Sequence, residues 1–294
     1  MKFFDLDKKI WQWIALLFLA IIWGSSFILM KKGLVVYSHN VVAALRISLA
    51  SIVLIPFALK GFKKVNAKDW KYLIFTGVIG NGIPAFLFTF AQTEVSSSLT
   101  GMLNSLVPIF SLIVGVFLFK SKPLKTQVIG IFIGLLGASG LILSNGLPSE
   151  NSNFMFILLI VLATVCYALS VNVIKTYLKE INAIHITALS FICLAPFTIT
   201  YLLTTNFIEV TINNSASFNA LVYIGILAIL GTALAIIIFN LLIKATTTVF
   251  ATSVTYLIPI VAIFWGIFDG ETMNMIQVVS ALITLIGIYF INKR

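Results

Sequence analysis

Long apolar runs alternate with short polar breaks along the whole chain. Ten such runs can be marked, at 11–30, 40–59, 70–90, 96–119, 126–144, 154–173, 185–203, 219–241, 247–268 and 274–291. A hydrocarbon core about 30 Å thick needs roughly 20 apolar residues per helix. Helices that are apolar all round leave no face for water. The pattern predicts an all-α membrane protein with ten transmembrane helices.

The pattern also repeats. Asn104-Ser105-Leu106-Val107-Pro108-Ile109 and Thr255-Tyr256-Leu257-Ile258-Pro259-Ile260 lie 151 residues apart, as do Gly80-Asn81 and Gly231-Thr232, and Gly115 and Gly266. Gly130, Gly134 and Gly137 answer to Ser280, Thr284 and Gly287 with the offset slipping by one, and Trp23 to Ser26 answer to Tyr167 to Ser170 at an offset of 144. One unit is written twice, as halves 1–147 and 148–294. Five spans per half is an odd number, so the second half enters the membrane upside down: two inverted five-helix repeats. Alternating access gains from that symmetry, whereas a channel or scaffold gains nothing obvious.

Composition agrees. Residues are 60% hydrophobic and only 10% charged, against roughly 25% charged in an ordinary soluble domain. The net charge of +10 is a topology signal rather than a nucleic-acid patch. With the N-terminus inside, all but Lys31, Lys32 and Arg46 of the 19 basic residues fall in cytoplasmic segments. The positive-inside bias then puts both termini in the cytoplasm. The first run reads as an uncleaved span rather than a signal peptide. Cys166 and Cys193 lie inside spans, which argues against a disulfide framework. No loop exceeds roughly 15 residues, so none holds a domain for chemistry.

At Ile22-Trp23-Gly24-Ser25-Ser26-Phe27, Arg46 and the stretch Thr100 to Pro108, the chain resembles an EamA-type member of the drug/metabolite transporter superfamily. Tyr167 to Ser170, and Ala251 to Gly266 followed by Glu271, carry the likeness into the second half. Lys120 departs from it, standing where the first repeat of such proteins often carries an acidic residue. The resemblance implies a central cavity lined by spans 1, 3, 4, 6, 8 and 9, and, by likeness to amino-acid and metabolite exporters, export.

Polar faces support part of this. Gly101, Asn104, Ser105 and Pro108 fall at i, i+3, i+4 and i+7 on span 4, and Thr252, Thr255, Tyr256 and Pro259 do so on span 9. Asn81, Pro84 and Phe88 on span 3 are matched by Thr232, Ala235 and Phe239 on span 8. Such residues line a wet cavity or bond between helices, since hydrocarbon offers polar groups neither partner nor water. The glycines of span 5 and their mates on span 10 read as packing surfaces. Pro84, Pro108, Pro196 and Pro259 are kinks, the first, second and fourth being candidate hinges. Arg46, the only charge well inside a span, either meets a substrate carboxylate or is structural, snorkelling or pairing with Glu94 or Glu150. Trp23 and Tyr167 either stack on a ring or cation or serve as anchors. His39 and His185 read as interfacial residues. The candidate binding set is Trp23, Ser26, Arg46, Asn81, Asn104, Ser105, Tyr167, Thr232, Thr255 and Tyr256.

All nine acidic residues lie in tails, loops or span ends, which argues against a metal-dependent enzyme and against coupling through a buried acid. There is no zinc-type Cys/His cluster and no phosphate-cradling loop, so neither a metal nor another cofactor is expected. The expectation is a bacterial inner-membrane transporter, not an enzyme, moving small metabolites such as amino acids or their derivatives. Its partners are substrate and lipid, as a monomer or homodimer. A lipid-linked or headgroup flippase of the same superfamily, a channel and a membrane-embedded enzyme remain the alternatives.

Overall fold

The computed structural model describes residues 6–143 and 154–292. Among the described residues every regular element is helical. The main helices are α1 (Lys9–Leu34), α2 (His39–Phe62), α3 (Ala67–Ala91), α4 (Ser97–Phe119) and α5 (Lys125–Leu143). They continue as α6 (Phe154–Tyr177), α7 (Ala183–Thr204), α8 (Ser217–Ala245), α9 (248–268) and α10 (Met275–Asn292), with a short helix, Phe207–Asn213, joining α7 to α8. Seven of them, α1 to α4 and α6 to α8, are long and apolar enough to cross a membrane. The apolar stretches of α5, α9 and α10 are shorter. The expected division at 147/148 lies outside the described residues, as does Glu150.

Polar residues at the breaks start the helices. Asn66 and Asp69 form a reciprocal capping box at the start of α3, and the Ser96 side chain accepts from Leu99 N at the start of α4. The outer surface is apolar, with Phe117 80%, Phe197 77% and Met275 78% exposed, while Ser48, Thr89 and Thr284 are buried. An apolar outer surface is what hydrocarbon solvation requires, while the interior stays largely apolar with these polar side chains set into it. The buried hydroxyls avoid isolation by bonding backwards, as Thr89 does to Ala85 O.

Helices of corresponding rank pack on each other: α2 runs along α7 and α5 along α10. Ser48 Oγ donates to Thr198 Oγ1 at 2.9 Å across the first seam. In the second, a Cβ on Gly137 would overlap Thr284, and one on Gly287 would overlap Gly134. The absent side chains let the two backbones touch, so these glycines are the packing surfaces expected of them.

Four helices are interrupted. α3 carries a π-helical turn at Val78–Gly82 and α8 one at Ile229–Leu234. α4 stops at Asn104 and restarts at Val107, and α9 tightens to a 3-10 turn at Ser253–Tyr256 before restarting at Ile258. Pro84, Pro108 and Pro259 each sit in the first turn of the restarted piece. They follow a break rather than bend an unbroken helix, as Pro196 inside α7 does not break its helix either.

A candidate functional site in a cavity between the two halves

A cavity of about 120 Å³ opens between the halves, bounded by α1, α2, α3, α4, α6, α7, α8 and α9. Of the ten residues expected to bind, eight line it: Trp23, Ser26, Arg46, Asn81, Asn104, Tyr167, Thr232 and Thr255. Ser105 does not. Its hydroxyl turns back to Met102 O at 2.6 Å, because α4 breaks there and the anticipated face is not continuous. Gly101, in the piece before the break, is packed against Ala262. The Tyr256 side chain lies outside the described residues. Two walls were not anticipated, α2 with Arg46 and Ile47, and α7 with Thr187 and Ser190. Their polar residues are scattered singly among apolar ones, so no polar face announced them.

The breaks deliver polar groups to this space. A proline cannot donate to the carbonyl four residues earlier. For Pro84, Pro108 and Pro259 those carbonyls belong to Gly80, Asn104 and Thr255, all three cavity-lining. The π turns are stabilised alike in both halves: Asn81 Nδ2 donates to Thr76 O and Thr232 Oγ1 donates to Leu227 O, each at 2.9 Å and each five residues back. Ser170 packs against the Gly80 position and Ser26 against the Gly231 position, where a Cβ would overlap the serine in the first case and lie 2.8 Å from its oxygen in the second. Trp23 Nε1 donates to Gly231 O at 3.0 Å. Its ring meets Phe239 edge-on at 5.0 Å, while Tyr167 stacks on Phe88 at 5.9 Å. The π-turn bonds, the serine–glycine contacts and the ring pairs each have a counterpart in the other half, whereas the Trp23 hydrogen bond to Gly231 O has none among the described residues.

Arg46 breaks that equivalence. Counted from the first residues of α2 and α7, it corresponds to Ser190. Ser190 shares a hydrogen bond of 2.9 Å with Thr76, whereas Arg46 Nε donates to Thr232 Oγ1 at 2.7 Å. The structural pairing with Glu94 is not formed: among the described residues no carboxylate lies within ion-pair distance of the guanidinium. Asn104 likewise presents an amide with no partner among the described residues.

At the face where α1 ends, the helices are tied by charge. Lys31 Nζ lies 2.9 Å from Glu271 Oε1 and 2.7 Å from Asp269 Oδ2, and Lys32 Nζ lies 2.5 Å from Asp269 Oδ1. Glu271 also accepts from Ser97 N and Ser98 N, both at 3.0 Å, and from Ser98 Oγ at 2.7 Å. It thereby fills the unpaired N–H groups at the start of α4. Hydrogen bonds from Lys31 and Lys32 hold the Asp269 carboxyl below its ordinary pKa. Burial opposes ionisation of Glu271, but donation from Ser98, Lys31 and Ser97 outweighs it and its pKa is also lowered. Lys120, 151 residues before Glu271, is exposed and ends α4 in a left-handed conformation at φ 54°. At the opposite face, Lys175 Nζ donates to Ile243 O at 2.8 Å and to Thr246 O, and Lys244 Nζ to Ile181 O. Among the described residues no group of acidic, His and Cys side chains could hold a metal ion.

A multi-pass helical membrane protein enclosing a largely apolar cavity studded with polar groups from both halves of the chain defines a class, that of membrane transporters. The EamA-like transporter family matches this chain twice, over residues 10–143 and 154–293, and the chain belongs to that family. An uncharacterized transporter of Archaeoglobus fulgidus is 27% identical over 177 residues, 60% of this chain and 62% of that protein. The uncharacterized inner membrane transporter YedA of Escherichia coli (strain K12) is 26% identical over 270 residues, 90% of this chain and 84% of its own. A protein of Streptantibioticus cattleyicolor named a probable terminal-alkyne amino-acid exporter is 20% identical over 293 residues, 98% of this chain and 95% of its own. One solved crystal structure shares the fold, with a TM-score of 0.68 at 13% identity over 97% of both chains.

Proposed function

We propose that the protein moves small metabolites across a bacterial inner membrane by alternating access, with halves 1–147 and 148–294 acting as two inverted five-helix repeats. The observation that carries this reading is the pairing of cavity residues: Trp23 with Tyr167, Ser26 with Ser170, Asn81 with Thr232 and Asn104 with Thr255, one of each pair from either half. A site built on such an axis presents equivalent walls to both faces, so a rocking motion can open either mouth onto the same contacts. The double family match supports the same division. In this reading the two termini are cytoplasmic, the charge clasp of Lys31, Asp269 and Glu271 closes the outer mouth, and breaks ahead of Pro84, Pro108 and Pro259 supply the hinges.

Amino acids or their derivatives as cargo, and export as direction, are favoured by the name of the Streptantibioticus relative. Reconstituted protein is the test. Saturable uptake stimulated by solute on the opposite side is expected. Linear, unsaturable flux would make it a channel, and turnover of solute without flux an enzyme. Tags that place residues 1 and 294 on opposite sides of the membrane would exclude the inverted arrangement.

A further inference from the structure

Arg46 alone among the cavity-lining residues carries a formal charge. A guanidinium has five N–H donors. One of them is bound by Thr232 Oγ1, and no other protein acceptor is found for the rest among the described residues. An unneutralised cation between apolar walls is costly, and its cost falls when an anion enters. The same cavity is lined by Trp23, Phe88, Tyr167 and Phe239, whose rings form two contact pairs, Trp23 with Phe239 and Tyr167 with Phe88. No described lining residue is acidic, so an ammonium entering here would find no carboxylate, only neutral oxygens and aromatic faces, and would be repelled by the guanidinium.

We propose that this cavity takes an organic monoanion, a carboxylate on a ring-sized apolar body, with the carboxylate held by the open N–H groups of Arg46 and the body between the two aromatic pairs. The proposal rests on the transporter reading and narrows its cargo to acids without a free ammonium group. A single cation matches one negative charge, and the planar guanidinium suits the two oxygens of a carboxylate. A doubly charged phosphate ester would enter half neutralised.

The test uses the full chain in detergent and three ligands that share one ring: 3-phenyllactate, phenylalanine and phenethylamine. Thermal stabilisation is expected to be strongest with 3-phenyllactate and absent with phenethylamine. Arg46→Gln should weaken 3-phenyllactate binding about 10- to 100-fold, and Arg46→Lys less, since charge persists without the fork. If Arg46→Gln does not fold, the ligand series on the unaltered chain and on Arg46→Lys decides. Equal stabilisation by phenethylamine, an affinity in Arg46→Gln within about twofold of the parent, or no stabilisation by any of the three overturns the proposal. Vesicle flux separates the two readings. Carrier-type flux of another solute without 3-phenyllactate binding sinks the proposal and leaves the transporter. Binding of 3-phenyllactate without flux of any solute supports the proposal and sinks the transporter.

Discussion

Lys31 Nζ and Glu271 Oε1 meet at 2.9 Å although 240 residues of chain separate them. The contact joins the end of α1 to the loop between α9 and α10. Through Ser97 N, Ser98 N and Ser98 Oγ the same carboxylate also holds the start of α4. Three helices from both halves are therefore fastened by one acidic side chain that is almost wholly buried, at 7% exposure. Residue 120, its partner by repeat, is an exposed lysine that cannot accept an N–H. The fastening is one-sided.

Glu271→Gln removes the charge and keeps the size. Losing a charge-assisted acceptor from four donors should cost about 1–3 kcal/mol, a roughly 5- to 150-fold shift toward the form open at that face. The check is labelling of Ser26→Cys by a membrane-impermeant thiol reagent, in a background with Cys166 and Cys193 replaced by alanine. Faster labelling from the face where α1 ends is expected, and an unchanged rate would show that the clasp does not gate.

The carboxyls of Asp269 and Glu271 titrate below their ordinary values, near 4. Groups with lowered folded pKa stabilise the structure fully above the unfolded value, and that contribution is lost as pH falls through the folded one. The clasp should thus hold at neutral pH and open only in acid, below about 4. The same labelling rate, followed between about pH 8 and pH 3, should stay flat until that acid limb. A midpoint near neutrality would contradict it.

Asn81→Ala and Thr232→Val each remove the side chain that bonds back across a π turn, at a cost of about 1 kcal/mol of stability. Both should lower flux while folded protein still reaches the membrane. Asn104→Ala, whose amide has no partner among the described residues, should lower flux with no change in melting temperature. Unchanged transport in Asn81→Ala and Asn104→Ala together would remove both from the site.

Gly137→Val places a branched side chain where α5 and α10 touch. Overpacking of this kind costs about 1–3 kcal/mol or more. A lower melting temperature and reduced yield are expected, with substrate affinity in the surviving protein unaltered, because no α5 or α10 residue lines the cavity among the described residues.

Apolar run length, the duplication and the residue types at the cavity were legible in the chain itself. Trp23, Asn81, Asn104, Tyr167, Thr232 and Thr255 stood out because polar or aromatic groups at repeated positions in hydrocarbon are costly unless they share a purpose. Ser105 misled because helical periodicity assumes an unbroken helix, and α4 breaks one residue before it. Arg46 was visible as an anomaly, yet neither its hydrogen bond to Thr232 nor the absence of a carboxylate beside it among the described residues could be read from position alone.

Sequence by itself determined the solvent of this protein and its division into two like halves, since hydrophobicity and repetition are properties of the chain, independent of how it packs. Tertiary structure decided which side chains face the cavity, that α2 and α7 help to wall it, and that Glu271 fastens α1 to α4. Those outcomes depend on partners 174 to 240 residues away and on carbonyls freed by local breaks, and no pattern with a period of a few residues records either.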